Sequence, residues 1–166
     1  VAGIAIAAND ADALQPALTE AMDAGIKVIS LDSAVNKDSR QTHIQQADPE
    51  KIGRGLIQAA YEMVDGNGGI AVLSATAQAT NQNLWIEWMK KELEENPEKY
   101  ANTPLIKVAY GDDDPTKSTS ETQALLTDSS IKVIIAPTTV GMLAAGKVLQ
   151  DKQSDVKLTG LGLPSE

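Results

Sequence analysis

Short apolar runs return along this chain at intervals of roughly 25–35 residues, the size of a β-α-β unit. They are Val1–Ala7, Lys27-Val-Ile-Ser-Leu-Asp32, Ile70-Ala-Val-Leu73, Leu105-Ile-Lys-Val-Ala-Tyr110, Lys132-Val-Ile-Ile-Ala136 and Val156–Gly160. Each reads as a strand. Helix-start signals separate them. Asn9, Asp10 and Asp12 are candidate N-caps for a helix carrying Leu14, Leu18 and Met22. That helix should begin near Asp12, which leaves Pro16 in its first turn. Asp48-Pro49 and Asp114-Pro115 each read as N-cap followed by N1, and Gly25 reads as a helix stop. Thr42-His-Ile-Gln45 fits a short extra strand, and Val140–Leu149 a helix. Gly53 and Gly55 weaken the helix after Pro49 but allow a close approach to a neighbour. Strand and helix alternate throughout, which predicts an α/β fold with doubly wound parallel sheets.

In such sheets ligands bind at the carboxyl ends of the strands. The residues that follow the strands are therefore the candidate site: Asn9 and Asp10, Asp32 and Ser33, Gln45 and Gln46, Ser74 through Asn83, Asp112 to Asp114, Pro137, Thr138 and Thr139, and Gly162. They are hydroxyls, amides and carboxylates, with no Lys or Arg among them. A carboxylate accepts hydrogen bonds from hydroxyls, and an amide both donates and accepts. The set suits a neutral polyhydroxy ligand, whereas a phosphorylated one would call for cations or a glycine-rich loop.

Other chemistries fit less well. Net charge is −9, which disfavours nucleic acid and anionic membrane surfaces. The chain has no Cys, so thiol nucleophiles, disulfides and Cys-rich zinc sites are excluded. No apolar run approaches the ~18 residues of a transmembrane helix, and no direct membrane insertion is expected. Phosphate-loop and nucleophile-elbow motifs are missing. Gly160-Leu-Gly162 only begins a dinucleotide fingerprint, since Ser165 stands where the third glycine belongs. The lone His43 is expected to be structural rather than catalytic. Asp112-Asp-Asp114 lacks the spacing of a calcium loop and reads as helix capping plus a solvated loop. Trp85 and Trp88 read as core rather than as a sugar-stacking platform. No enzyme activity, cofactor or metal is expected.

Val28-Ile-Ser-Leu-Asp32, Thr80-Asn-Gln-Asn-Leu-Trp85 and Ile135-Ala-Pro-Thr138 together resemble type 1 periplasmic sugar-binding proteins, the solute-binding subunits of ABC transporters. The resemblance is to the branch of the rhamnose and autoinducer-2 binders. Tyr110-Gly-Asp-Asp113 and Leu158-Thr-Gly-Leu-Gly-Leu-Pro-Ser-Glu166 look like the rhamnose type in particular. The family fold implies two α/β domains joined by crossovers, with ligand held in the cleft between them. Carried over, residues 1–46 would be the remaining part of the N-terminal domain and 47–166 most of the C-terminal one. The first crossover would fall near Gln45-Gln46. Both chain ends read as cut through this fold, so a fragment of a longer protein is expected.

The resemblance also implies site residues. Asp32 matches the sugar-binding Asp that ends a strand of the first domain. Gln82 matches, and Asn81 departs from, an Asp-Gln pair of the autoinducer-2 branch. Pro137 matches a Pro whose backbone meets ligand, with Thr138 beside it. Thr139 replaces an Ala of autoinducer-2 binders, and Gly162 a ligand-binding Asp of ribose-type relatives. These departures favour a methylpentose such as rhamnose. The implied partners are a neutral monosaccharide and the membrane permease of an ABC importer, with the protein periplasmic or lipid-anchored outside the cytoplasmic membrane. An autoinducer-2-binding protein, or the effector domain of a sugar-responsive transcription regulator, is the alternative.

Overall fold

A computed structural model describes residues 1–162; the Leu163-Pro-Ser-Glu166 end of the last motif lies outside the described residues. Strands and helices run β1 (Gly3–Ile6), α1 (Gln15–Asp23), β2 (Lys27–Leu31), β3 (Thr42–Ile44), α2 (Pro49–Met63), β4 (Gly69–Ser74), α3 (Thr80–Glu95), β5 (Leu105–Tyr110), α4 (Pro115–Leu125), β6 (Ile131–Ala136), α5 (Thr139–Asp151) and β7 (Lys157–Gly160). They form two parallel sheets, one of order β1-β2-β3 and one of order β5-β4-β6-β7.

β4 organises the larger sheet. It is bracketed by β5 and β6, and all six of its residues are buried. Successive side chains of a strand point to opposite faces, and here both faces are apolar. Ile70 and Val72 join Val133 and Ile135 against Leu56, Ile57, Trp85, Ile86 and Met89 of α2 and α3. Ala71 and Leu73 join Ile134 and Ala136 against Leu125 of α4 and Ala145 of α5. Helices therefore cover both faces, as the two-sided apolar runs demand. Because β4 leads to β5 on one side and β6 lies on the other, the order reverses between β4 and β6. Their carboxyl ends form the switch-point crevice where ligands settle in open α/β sheets.

The helix signals mostly act as the sequence predicts. Asp48 caps α2 by accepting from the Glu50 and Lys51 amides, and Asp114 caps α4 by accepting from Lys117. Gly53 sits where α2 crosses α3; a Cβ there would lie 2.5 Å from the Trp85 carbonyl. The first helix differs. It begins at Gln15 rather than near Asp12, because the Asp10 carboxylate accepts from the Asp12 and Ala13 amides and closes a separate turn first. In the smaller sheet Ala8, Leu18, Val28 and Val35 form the core on the α1 side. Leu31 and Ile44 are exposed.

Candidate ligand-binding site

Asp32 follows β2 directly and adopts the left-handed conformation, φ 56°. Asp and Asn enter that region more readily than other side-chain-bearing residues. The turn aims the Asp32 carboxylate at the larger sheet. Two amides converge on one oxygen, Oδ1: Asn81 Nδ2 donates at 3.0 Å and Gln46 Nε2 at 2.6 Å. Among the described residues no donor reaches the second oxygen, Oδ2.

Asn81 and Gln82 sit in the first turn of α3. The N-cap position is Ala79, with no side-chain cap, and Asn81 one residue into the helix reaches Asp32 of the smaller sheet with its Nδ2. Its own Oδ1 accepts from the Gln82 amide. Gln82 is 7% exposed, and its Oε1 accepts from Ser74 Oγ at 2.7 Å and from the Ala75 amide at 2.8 Å. These bonds satisfy the end of β4 and fix the side chain. Its NH2 is then the end that remains to donate.

A second set of bonds joins the two sheets beside this pair. Thr80 Oγ1 accepts from the Ala34 amide at 2.8 Å and lies 3.2 Å from Ser33 Oγ; Thr76 Oγ1 donates to the Asn9 carbonyl. The loops after β1 and β2 are thus tied to the β4–α3 loop and the start of α3.

Asp32, Asn81, Gln82, Pro137, Thr138, Thr139 and Gly162 all line one cavity of about 520 Å³, together with Gln46, Trp85, Asp113, Val140 and Leu161. The structure therefore brings together all seven residues implied by the resemblance, whereas Asn9, Asp10, Ser33, Gln45, the stretch from Ser74 to Thr80, Asn83, Asp112 and Asp114 of the wider strand-end set do not line this cavity. Its walls come from the carboxyl ends of β2, β3, β5, β6 and β7 and the N-terminal turns of α3 and α5. The size suits a monosaccharide. Two carboxylates and no Lys, Arg or His stand among these residues. An anionic ligand would meet uncompensated negative charge, while hydroxyl donors would meet acceptors. Among the described residues no group of three or more His, Asp or Glu could hold a metal ion.

Asp113 and Gln46 are the polar wall residues outside the seven. Asp113 belongs to a run read as capping and solvated loop, yet only Asp114 caps, and Asp112 pairs with Lys117. The available signal was that one helix start needs one cap. Gln46 sits two residues beyond β3, at the expected crossover. Trp85 is 4% exposed and belongs to the core, as expected, although its ring also reaches the cavity wall. His43 is held structurally. Gln45 Oε1 accepts from His43 Nε2–H at 3.0 Å, and Nδ1 lies 2.8 Å from Ser30 Oγ, which accepts from Arg40.

Two parallel α/β sheets whose carboxyl edges share a polar, cation-free cavity define the type 1 periplasmic-binding-protein fold. The chain belongs to the periplasmic binding protein domain family, whose model matches residues 1–166. It is similar to an ABC transporter solute binding protein from Clostridium phytofermentas with bound L-rhamnose, at 54% identity and a TM-score of 0.93, over 99% of this chain and 52% of that one. A sugar ABC transporter from Actinomyces odontolyticus is 41% identical, TM-score 0.68, over 98% and 53% of the two chains. LsrB from Clostridium saccharobutylicum, in complex with AI-2, shares the fold at 24% identity and TM-score 0.86, over 99% and 54%. The chain thus spans about half the length of these structures.

Proposed function

We propose that the protein carrying this chain binds a neutral monosaccharide, L-rhamnose foremost, and presents it to the membrane permease of an ABC importer without transforming it. The observation that carries this reading is the composition of the cavity wall. Asp32 Oδ2 and Asp113 accept from hydroxyls, and the Gln82 NH2 donates. Trp85, Pro137, Val140 and Leu161 offer apolar surface to a methyl group and the C–H faces of a sugar ring. Unlike a ribose, a 6-deoxyhexose carries such a methyl. The rhamnose bound by the 54%-identical solute binding protein supports the same choice.

In this reading residues 1–46 and 47–166 belong to two domains, the sugar lies between them, and hinge closure completes its enclosure. The protein works outside the cytoplasmic membrane. Calorimetric titration of the full-length protein with L-rhamnose, D-ribose and autoinducer-2 tests the assignment. Tight binding of L-rhamnose with unchanged sugar recovered afterwards is expected. Failure of L-rhamnose alongside tight binding of either competitor would overturn it. Cell fractionation that leaves the protein in the cytoplasm would overturn the transport role.

A further inference from the structure

Thr138 occupies the N-cap position of α5, yet its hydroxyl caps nothing. It donates to Asp113 Oδ1 in the loop after β5. Asp112 and Asp113 are both left-handed, at φ 54° and 51°. Two successive residues with side chains in that region are unfavourable, and such strain collects where function demands a particular geometry. The neighbouring carboxylates have local structural partners: Asp112 pairs with Lys117, and Asp114 caps α4. Among the described residues Asp113 meets neither a cation nor an amide. Its hydrogen-bond partner among them is the Thr138 hydroxyl, which engages Oδ1, and Asp113 lines the cavity from the larger sheet as Asp32 does from the smaller.

We infer that Asp113 is a ligand-binding and specificity-determining carboxylate, held toward the cavity by Thr138 as its positioning residue. The inference rests on the sugar-binding reading and deepens it. Oδ2 accepts from a sugar hydroxyl, just as Asp32 Oδ2 does from the other wall. The sugar is gripped by one carboxylate on each side, so a ligand needs hydroxyl donors at both ends. The Thr138 hydroxyl proton is engaged by Asp113 and does not itself donate to the ligand.

The alternative is that Asp113 merely staples the β5 loop to the start of α5. Asp113→Asn separates the two roles. Asn retains an oxygen for Thr138 and tolerates the left-handed backbone, but it puts an NH2 where Oδ2 stood. Titrations use the full-length protein with L-rhamnose, or with whichever neutral monosaccharide of a panel the wild type binds. Asp113→Asn should lose about 10- to 100-fold in affinity, the range for a hydrogen bond to a charged acceptor, with an unchanged melting temperature. Thr138→Val should lose affinity through the misplaced carboxylate, and Thr138→Ser should restore it. One monodeoxy analogue should bind Asp113→Asn and wild type equally, because the hydroxyl that Asp113 meets is gone. Wild-type affinity in Asp113→Asn, or an equal loss for every analogue, overturns the inference while leaving the sugar reading intact. If no neutral sugar binds the wild type, the sugar reading fails and takes this one with it.

Discussion

Replacing Asn81 by Asp tests the electrostatics of the cavity directly. Asn81 Nδ2 donates to Asp32 Oδ1 at 3.0 Å, so Asn81→Asp removes a charge-assisted hydrogen bond and sets two carboxylates side by side. Unit charges 3–4 Å apart repel by about 1 kcal/mol in water and about 4–5 kcal/mol at an effective dielectric of about 20. Asp32 is exposed and Asn81 is 8% exposed, which places the pair between these limits, at roughly 2 kcal/mol. With the lost hydrogen bond, the variant should be less stable than the parent by about 2–4 kcal/mol at pH 8. The repulsion favours the protonated acid, so the introduced pair binds a proton more readily folded than unfolded. Between the unfolded carboxyl value of about 3.9 and the higher folded value of the introduced pair, the folded variant holds the extra proton, and its stability falls as pH rises. The deficit should therefore shrink as pH drops from 8 to 4. Denaturant titrations of both full-length proteins at several pH values measure the difference, in which shared pH effects cancel. A deficit that stays constant from pH 4 to 8 refutes the reasoning.

Thr80→Val removes the acceptor of the Ala34 amide; the orphaned donor should cost about 1–3 kcal/mol in denaturant titrations, and Thr80→Ser should recover most of it. Gly53→Ala should destabilise by about 1–3 kcal/mol through overpacking, since its Cβ would fall 2.5 Å from both the Trp85 carbonyl and Trp88 Cβ. Gly55→Ala, with nothing within 4 Å of its Cβ, should instead gain about 0.5–1 kcal/mol from helix propensity; equal signs for the two variants in thermal melts would contradict the packing argument. Burial raises the Glu92 carboxyl, but hydrogen bonds from Arg54 and the Tyr100 hydroxyl outweigh it and hold the group below its ordinary value. That contribution is present above the unfolded carboxyl value and lost as pH falls through the folded one. Glu92→Gln should flatten the acid limb of the stability profile, and an unchanged limb would show that Glu92 is not part of it.

The architecture was readable because its causes are local. A run such as Ile70–Leu73 is apolar at every position, which suits only a strand covered on both faces, and Asp48-Pro49 supplies a cap and a pre-set φ in adjacent residues. The start of α1 was harder to place. Asp10, Asp12 and Asn9 are all competent caps, and only the folded loop decides that Asp10 closes a turn before the helix begins. Likewise, the bond from Asn81 to Asp32 joins residues 49 apart, and no local rule pairs them.

The same distinction separates the legible part of the site from the rest. Strand-end position brings Asp32, Gln82 and Pro137 to the carboxyl edge of their sheets, and the sequence pattern contains that information. It does not say which member of Asp112-Asp-Asp114 faces a ligand, because three identical carboxylates differ only in backbone direction. Here Asp114 must cap, since it precedes Pro115, and Asp112 meets Lys117 five residues on, so the middle residue is left for the cavity. Only the Asp114 cap is legible in the sequence; that Asp112 rather than Asp113 takes Lys117 is decided by the folded loop. A polar residue at a strand end is a stronger site candidate when its neighbours already perform the capping and pairing that the loop requires.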